Sequence, residues 1–418
     1  AVEMCNNNGA CRKRDGGVMC PSFRATGDEA HVTRGRANAL RLALSGQLGR
    51  DALFSDAMAE AMRLCVGCKG CRRECPTGVD MARMKIEVLY LRARRFGVPF
   101  RDKLIAHLPR YAPLAARIPS LFAARDRIPG LAALTERALG LSARRRLPRF
   151  SPVPFDPARE EPPARADSDA REVVLWADTF DTYFEPENAR AALRVLAAGG
   201  YRVRLAKPPD GGRPLCCGRT YLAAGMVAEA RAEAGRLLSA LVPFARRGVP
   251  IVGLEPSCLL GLRDEIPVLL PGDESKALAG AAMLLEEFLA AEAEAARLDL
   301  PLKPIAKRAL LHAHCHQKAF GAVGAVERTL RLVPGLDVET IEAGCCGMAG
   351  AFGFGADTFE ISMRMAEEAL LPAVRRAESD IIVVADGTSC RLQIADGAGR
   401  GAVHVARVLD RALAEKRP

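Results

Sequence analysis

Along residues 33–96 the apolar positions recur at helical spacing. In "RGRANALRLALSG" (34–46) Ala37, Leu40 and Leu44 fall on one face, and in "SDAMAEAMRLC" (55–65) Met58, Met62 and Cys65 do the same. A third helix is predicted over "VDMARMKIEVLYLRARR" (79–95), just after Cys75-Pro76. From residue 171 the pattern changes. Short apolar runs read as strands: "VVLWA" (173–177), "RVRLA" (202–206), "IVGLE" (251–255), "ALLHA" (309–313), "DVETI" (337–341) and "IIVVA" (381–385). Longer helical stretches such as "AGMVAEARAEAGRLLSALVPFARRG" (224–248) lie between them. That alternation predicts parallel sheets with crossover helices.

The expected fold class is therefore α+β multidomain. An all-helical domain over residues 1–90 precedes an α/β region of two parallel-sheet modules. Residues 91–150, with Pro at 99, 109, 113, 119, 129 and 148, are expected to form short helices broken by turns. "SPVPFDPAREEPPARADSDA" (151–170) is Pro-rich and polar and reads as a linker. The modules, 171–300 and 301–418, repeat one another. "VLWADTF" (174–180) parallels "LLHAHCH" (310–316), "LCCGRTYLAAGM" (215–226) parallels "GCCGMAGAFGFG" (344–355), and "VGLEPSC" (252–258) parallels "VADGTSC" (384–390). The three matches keep one order and a nearly constant spacing.

Composition sharpens this division. The chain has 418 residues, 49% hydrophobic but only 5% aromatic, so its cores must be built mainly from Ala, Leu and Val. The net charge of +10 is concentrated: residues 91–150 hold fourteen Arg or Lys against three Asp or Glu. Such a segment suits an anionic lipid surface or an acidic partner domain. It lacks the interleaved aromatics and reading motifs of a nucleic-acid binder. No run of about 18 uncharged apolar residues and no secretory signal occurs, so the expected location is cytoplasmic, with peripheral contact at the inner membrane face. A candidate ligand at position 5 suggests a piece excised from a longer polypeptide.

The fourteen cysteines come in clusters. The adjacent pairs Cys216-Cys217 and Cys345-Cys346 are awkward as structural disulfides, which points to a reducing compartment and to metal binding. "CVGCKGCRRECP" (65–76) is Cys65-x2-Cys68-x2-Cys71-x3-Cys75-Pro. Three thiolates of such a run wrap one iron–sulfur cluster, and the fourth reaches a second. Zinc is the rival for paired Cys-x2-Cys units. "VEMCNNNGACRKRDGGVMCP" (2–21) supplies the partner run. With last cysteines exchanged, Cys20 joins Cys65, Cys68 and Cys71 in cluster A. Cys75 joins Cys5 and Cys11 in cluster B, where Asn8 stands in place of a middle thiolate. Cluster A is expected to be [4Fe-4S]. Cluster B is either [3Fe-4S] or a [4Fe-4S] whose fourth iron takes Asn8, water or a distant residue. Its Cys-x5-Cys followed by Cys-Pro is similar to the three-iron site of succinate dehydrogenase iron–sulfur subunits. Two such neighbouring clusters, which would make residues 1–90 a ferredoxin-like dicluster domain, would pass single electrons.

In the second repeat Cys315, Cys345, Cys346 and Cys390 sit at predicted strand ends, where ligand sites of open α/β sheets gather. Four thiols could hold a third metal or cluster. His314, His316 and Gln317 flank Cys315, as ligands or as supports. The first repeat keeps Cys216, Cys217 and Cys258, but Thr179, beside Asp178, replaces Cys315. It reads as a structural or acceptor-binding half.

These double "CCG" repeats, each followed by a lone Cys, resemble the cysteine-rich domain of heterodisulfide reductases and are similar to glycolate oxidase iron–sulfur subunits. The opening run resembles the iron–sulfur part of bacterial FAD-linked oxidases of the D-2-hydroxyglutarate or D-lactate dehydrogenase type. That resemblance implies a FAD-binding dehydrogenase domain, in the same polypeptide or a separate one, that oxidises a D-2-hydroxy acid and passes electrons here, then to quinone or another acceptor. No Gly-x-Gly-x-x-Gly opens a helix after a strand in this chain, so the hydride chemistry belongs outside it. The missing Cys at 179 and the single Cys in "SCLL" (257–260) and "SCRL" (389–392) depart from repeats that hold a non-cubane cluster. Two other readings are a Cys315/Cys345/Cys346 site that reduces disulfides and a zinc-stabilised scaffold.

Overall fold

The computed structural model describes residues 1–160 and 170–414. Residues 1–96 form helices only, the longer ones being Thr33–Leu44, Asp56–Arg63 and Met81–Phe96. Local chemistry sets their ends. The Ser55 side chain accepts from Met58 N–H and Asp80 from Arg83 N–H, capping two helices that the periodicity anticipated. Met58, Met62, Met81, Met84 and Val88 turn inward with Val32 and Leu40. The flexible thioethers fill an irregular core that also receives cysteines.

Residues 100–139 carry the helices Phe100–Ala106, Leu108–Ala115, Pro119–Arg127 and Leu131–Leu139, with Pro109 and Pro119 in first turns where a missing N–H costs nothing. Not all of this segment's charge faces water. Arg125 is buried and donates to the carbonyls of Leu141, Ser142 and Arg145. Arg145, also buried, donates to Gly353 O and Gln393 Oε1. Around these anchors Phe96, Phe100, Leu114, Ile118, Leu121, Ile128 and Leu134 stay exposed.

The described part of the Pro-rich stretch is packed rather than free. Ser151 N–H donates to Tyr183 O, Phe155 N–H donates to Thr182 O, and the Phe155 ring enters the core. The rest of the expected linker, residues 161–169, lies outside the described residues, as do residues 415–418 of the second repeat.

Two parallel sheets follow. β1 (Glu172–Trp176), β2 (Arg202–Leu205), β3 (Ile251–Gly253) and β4 (Ala282–Leu284) lie in the order β2-β1-β3-β4. β5 (Lys307–Leu311), β6 (Leu336–Thr340) and β7 (Ile382–Val384) lie in the order β6-β5-β7, with Leu311 opposite both Thr340 and Val384. β1 and β5 are central, and the cysteines lie past the carboxyl ends of β2 (Cys216, Cys217), β3 (Cys258), β5 (Cys315), β6 (Cys345, Cys346) and β7 (Cys390). One apolar core runs across both sheets: Leu175, Leu196, Leu254, Leu285, Leu311, Val384, Val405 and Leu409 belong to the same cluster. The repeats therefore share an interior.

Polar groups are sealed into that seam. Glu286 is fully buried, neither carboxylate oxygen has a hydrogen-bond partner, and Oε1 lies 3.8 Å from His404 Nε2, itself 3.6 Å from Asp386 Oδ1. Burial, and next the charge of Asp386, push the Glu286 carboxyl well above its ordinary value of 4.5. The folded state thus keeps a proton that the unfolded chain releases. That contribution is complete below about pH 4.3 and declines as pH climbs toward the raised native value. Denaturant midpoints between about pH 5 and 9 should fall with pH in the natural protein, and Glu286→Gln should flatten that slope.

Candidate metal centres

The run 65–75 folds back on itself because Gly67 and Lys69 both take left-handed backbone, at φ 63° and 59°. Cys65, Cys68 and Cys71 then line one small cavity, with Cys20 from the opening loop. Met19, Pro21, Met81 and Ala82 give it a largely apolar wall. Glu74 ties the two runs together, accepting from Val18 N–H at 2.6 Å and Met19 N–H at 2.8 Å. Burial raises the Cys20 thiol, but the Arg36 charge and the Ser22 hydroxyl outweigh it and hold the group low. Arg36 Nη1 lies 3.7 Å from Cys20 Sγ. Four soft donors around one small cavity fit a thiolate-held metal cluster.

Cys5 and Cys11 are buried, and Cys75 packs half-buried against the same apolar cluster. Burial lifts Cys75, yet the Thr77 hydroxyl and the amides of Val79, Thr77 and Gly78 bring it below its ordinary value, as suits an anionic ligand. Asn8 is exposed, and its Oδ1 accepts from Ala10 N–H at 2.9 Å.

The Cys-Cys-Gly turns have a common cause. Gly218 (φ 77°) and Gly347 (φ 80°) are left-handed, and each turns its N–H back onto the first cysteine sulfur, Cys216 and Cys345, at 3.4 Å. A Cβ on Gly347 would lie 2.3 Å from Ser362 O, so only glycine fits. The repeats match after β1 and β5 as well. Asp178 caps Thr179–Tyr183 through Phe180 N–H, and His314 Nδ1 caps Cys315–Phe320 through His316 N–H. Thr179 and Cys315 thus occupy the same first helical position. Burial, and next Glu255, push the Asp178 carboxyl up to about 7.

In the second repeat the donor atoms of His312, Cys346 and Cys390 all lie within 4.8 Å of one another. The sequence reading missed His312. It is completely buried with no hydrogen bond to either ring nitrogen, and Trp176 takes its place in the first repeat. Its signal was its position just past a strand, two residues before His314. Cys315 is brought down to about 6, chiefly by the Cys345 thiol, with His314 and Arg219 helping against burial. Gln317 supports from behind: Oε1 accepts from His314 N–H, and Nε2 donates to Asp386 Oδ2, both at 2.8 Å. In the first repeat Cys217 Sγ donates to Cys258 Sγ at 3.1 Å.

These parts meet. Cys68 packs with Val18 and Cys345, and Cys315 borders the same cluster. His316 Nε2 lies 3.1 Å from both Gly67 O and Arg219 Nη2. A cavity of about 860 Å³ opens beside this junction. Cys65, Cys217, Cys258, Cys315 and Arg219 line one part of it, and Ile86, Leu89, Phe96 and Val98 line another.

Residues 1–79 match the family described as a 4Fe-4S dicluster domain, and residues 309–395 match the family described as a cysteine-rich domain. The D-2-hydroxyglutarate dehydrogenase of Pseudomonas putida (strain KT2440) is 30% identical over 93% of this chain and 41% of its own length. That of Escherichia coli (strain K12) is 26% identical over 97% and 43%. One subunit of the anaerobic glycerol-3-phosphate dehydrogenase of Escherichia coli (strain K12) is 27% identical over 65% of this chain and 66% of its own. The chain spans about two fifths of the two longer relatives. The chain therefore joins a region matching a 4Fe-4S dicluster domain to one matching a cysteine-rich domain, and is similar over nearly its whole length to part of the D-2-hydroxyglutarate dehydrogenases.

Proposed function

We propose that this chain is the electron-transfer portion of a FAD-linked D-2-hydroxy-acid dehydrogenase of the D-2-hydroxyglutarate or D-lactate type, serving quinone or another acceptor. Residues 1–90 are its dicluster domain, 91–150 a basic helical segment, and 171–300 and 301–418 its two repeats. The observation that carries this reading is the packing of Cys68 against Cys345, beside Cys315, which sets the thiols of the dicluster run against those of the second repeat.

Cys20, Cys65, Cys68 and Cys71 would hold one cluster. Cys5, Cys11 and Cys75 would hold another, of three or four irons. His312, Cys315, Cys345, Cys346 and Cys390 are the candidate donors for a third metal or cluster. Such clusters, when bound, accept and release single electrons. The chain's own residues would support one of these sites: Met19 and Met81 lend it an apolar wall, and Arg36 would compensate thiolate charge. The hydroxy acid and its FAD belong to a partner domain. The Arg-rich helices with exposed Phe100, Leu114, Ile118 and Leu121 combine charge and apolar surface as a peripheral contact with anionic lipid requires.

Anaerobically purified protein should contain iron and acid-labile sulfide at roughly six to eight atoms each per chain. Its electron paramagnetic resonance spectra should separate an oxidised three-iron centre, if cluster B is one, from reduced cubanes. Zinc without sulfide would overturn the reading.

A further inference from the structure

The two repeats are not chemically alike. In the second, an imidazole and two thiols converge on one point. In the first, among the described residues, no such three-donor set includes Cys216, Cys217 or Cys258. Cys216 Sγ is engaged by the Gly218 amide of its own turn. Cys217 and Cys258 instead face each other as a pair, 3.1 Å apart, buried, and lining the 860 Å³ cavity.

We propose that Cys217 and Cys258 form a reversible dithiol/disulfide couple that pairs single electrons for a two-electron acceptor in that cavity. Oxidation forms one S–S bond and releases two electrons and two protons. Reduction breaks that bond, takes both back and leaves two thiols. Closing the bond from 3.1 Å to about 2.05 Å needs an approach of only about 1 Å. Cys217 follows an adjacent cysteine and precedes left-handed Gly218, and Cys258 lies in the first turn of Pro256–Leu269. The sulfurs therefore come from two separate elements. Arg219 connects the pair to the rest of the junction. Its charge acts on Cys217, Cys258 and Cys315, and its Nη2 reaches His316 Nε2 at 3.1 Å and Gly67 O at 3.5 Å. The Cys216 thiol pulls Cys217 down and the Cys217 thiol pulls Cys258 down, but burial, with the Cys258 contact on Cys217, outweighs them and keeps both thiols neutral, so protons travel with the electrons.

The electron source rests on the function proposed above: Cys20, Cys65, Cys68 and Cys71 would hold an iron–sulfur centre able to supply two single electrons in turn. The oxidant is a quinone in the cavity. Dithiol plus quinone gives disulfide plus quinol, with electrons and protons balanced. A flavin takes up electrons in pairs and releases them singly to one-electron clusters, whereas a quinol needs two; the dithiol is where they are paired again.

The test holds the whole anaerobic protein at a series of potentials with mediator dyes, quenches in acid, alkylates free thiols and maps the peptides by mass spectrometry. Paramagnetic resonance is recorded on the same samples. Oxidised samples should lose two alkylatable thiols and yield a Cys217–Cys258 cross-linked peptide, with a two-electron slope and a midpoint that shifts with pH. Cys258→Ser should abolish the cross-link and leave Cys217 alkylatable at every potential. Free Cys217 and Cys258 in oxidised natural protein would overturn the proposal, as would one zinc per chain lost in Cys258→Ser but retained in Cys346→Ser. Without mediator dyes, dithionite reduction of the disulfide that runs as fast in iron-depleted as in iron-loaded protein would keep the couple and overturn its electron source.

Discussion

Asp264→Asn is expected to destabilise the protein by about 3–5 kcal/mol, the range for breaking a buried ion pair by removing one partner. Asp264 lies on the helix Pro256–Leu269 of the first repeat, with its side chain 1% exposed. It receives Lys69, 2% exposed, together with Arg72 at 2.5 Å and Arg83. Lys69 sits between Cys68 and Gly70, inside the cysteine run. Asparagine would leave its ammonium buried with only Glu265, at 2.7 Å, as a charged partner. Because Lys69 holds left-handed backbone between two candidate ligands, the loss reaches the cluster cavity as well as the interface. Denaturant unfolding measures the energy. Asp264→Leu combined with Lys69→Met should recover much of it, since no buried charge is left unpaired: Glu265 keeps Arg219, and Arg72 reaches solvent.

The same pair gives an acid dependence of opposite sign to that of Glu286. Burial raises the Asp264 carboxyl, but Lys69, then Arg83 and Arg72, outweigh burial and hold it below its ordinary value of 3.8. Its contribution is complete above that value and is lost as pH falls through the depressed one. The natural protein should therefore lose stability on acidification more steeply than the Asp264 variant.

That junction shows what local pattern can and cannot reveal. The cysteine runs were legible because ligand spacing is a short-range constraint, and the glycines of the two Cys-Cys-Gly turns mark a backbone shape only glycine fits. β1 and β5 were legible from their β-branched and leucine content between breakers. β4 was not: Ala282–Leu284 is embedded in an Ala-Leu-Glu run with helices on both sides, Asp273–Ala281 and Leu285–Glu294, so only pairing with β3 makes it a strand. His312 was overlooked beside His314 and His316 because a fold, not a spacing, brings it to Cys346. Phe155 sits in a Pro-rich stretch whose composition says linker, yet its ring is buried. Asp264 carried no signal at all. Its partners are nearly two hundred residues away, and one acidic residue in a helix is ordinary until its surroundings become dry.

Cys71→Ser is expected to remove roughly half or more of the iron and acid-labile sulfide and to unfold the amino-terminal helices selectively. Cys71 is 5% exposed and belongs to the same core as Val32, Leu40, Met62 and Met81. Burial strongly raises its thiol, so without metal it is a neutral group in an apolar site; a serine there brings a hydroxyl and a poor donor for soft iron. The substitution should reach the second cluster too. Cys75 N–H donates to Cys71 O, and Glu74 anchors the loop bearing Cys20. Residues 171–414 keep a core of their own and should unfold in their own transition, lowered by the loss of the Lys69–Asp264 contact. Metal analysis, resonance spectra and calorimetry on one preparation give the three readouts. Cys11→Ser provides the contrast, because Cys11 does not line the Cys20/Cys65/Cys68/Cys71 cavity and the cubane signal should survive its loss. If Cys71→Ser kept its full iron while Cys11→Ser lost all of it, the assignment of Cys71 to that cavity would be wrong.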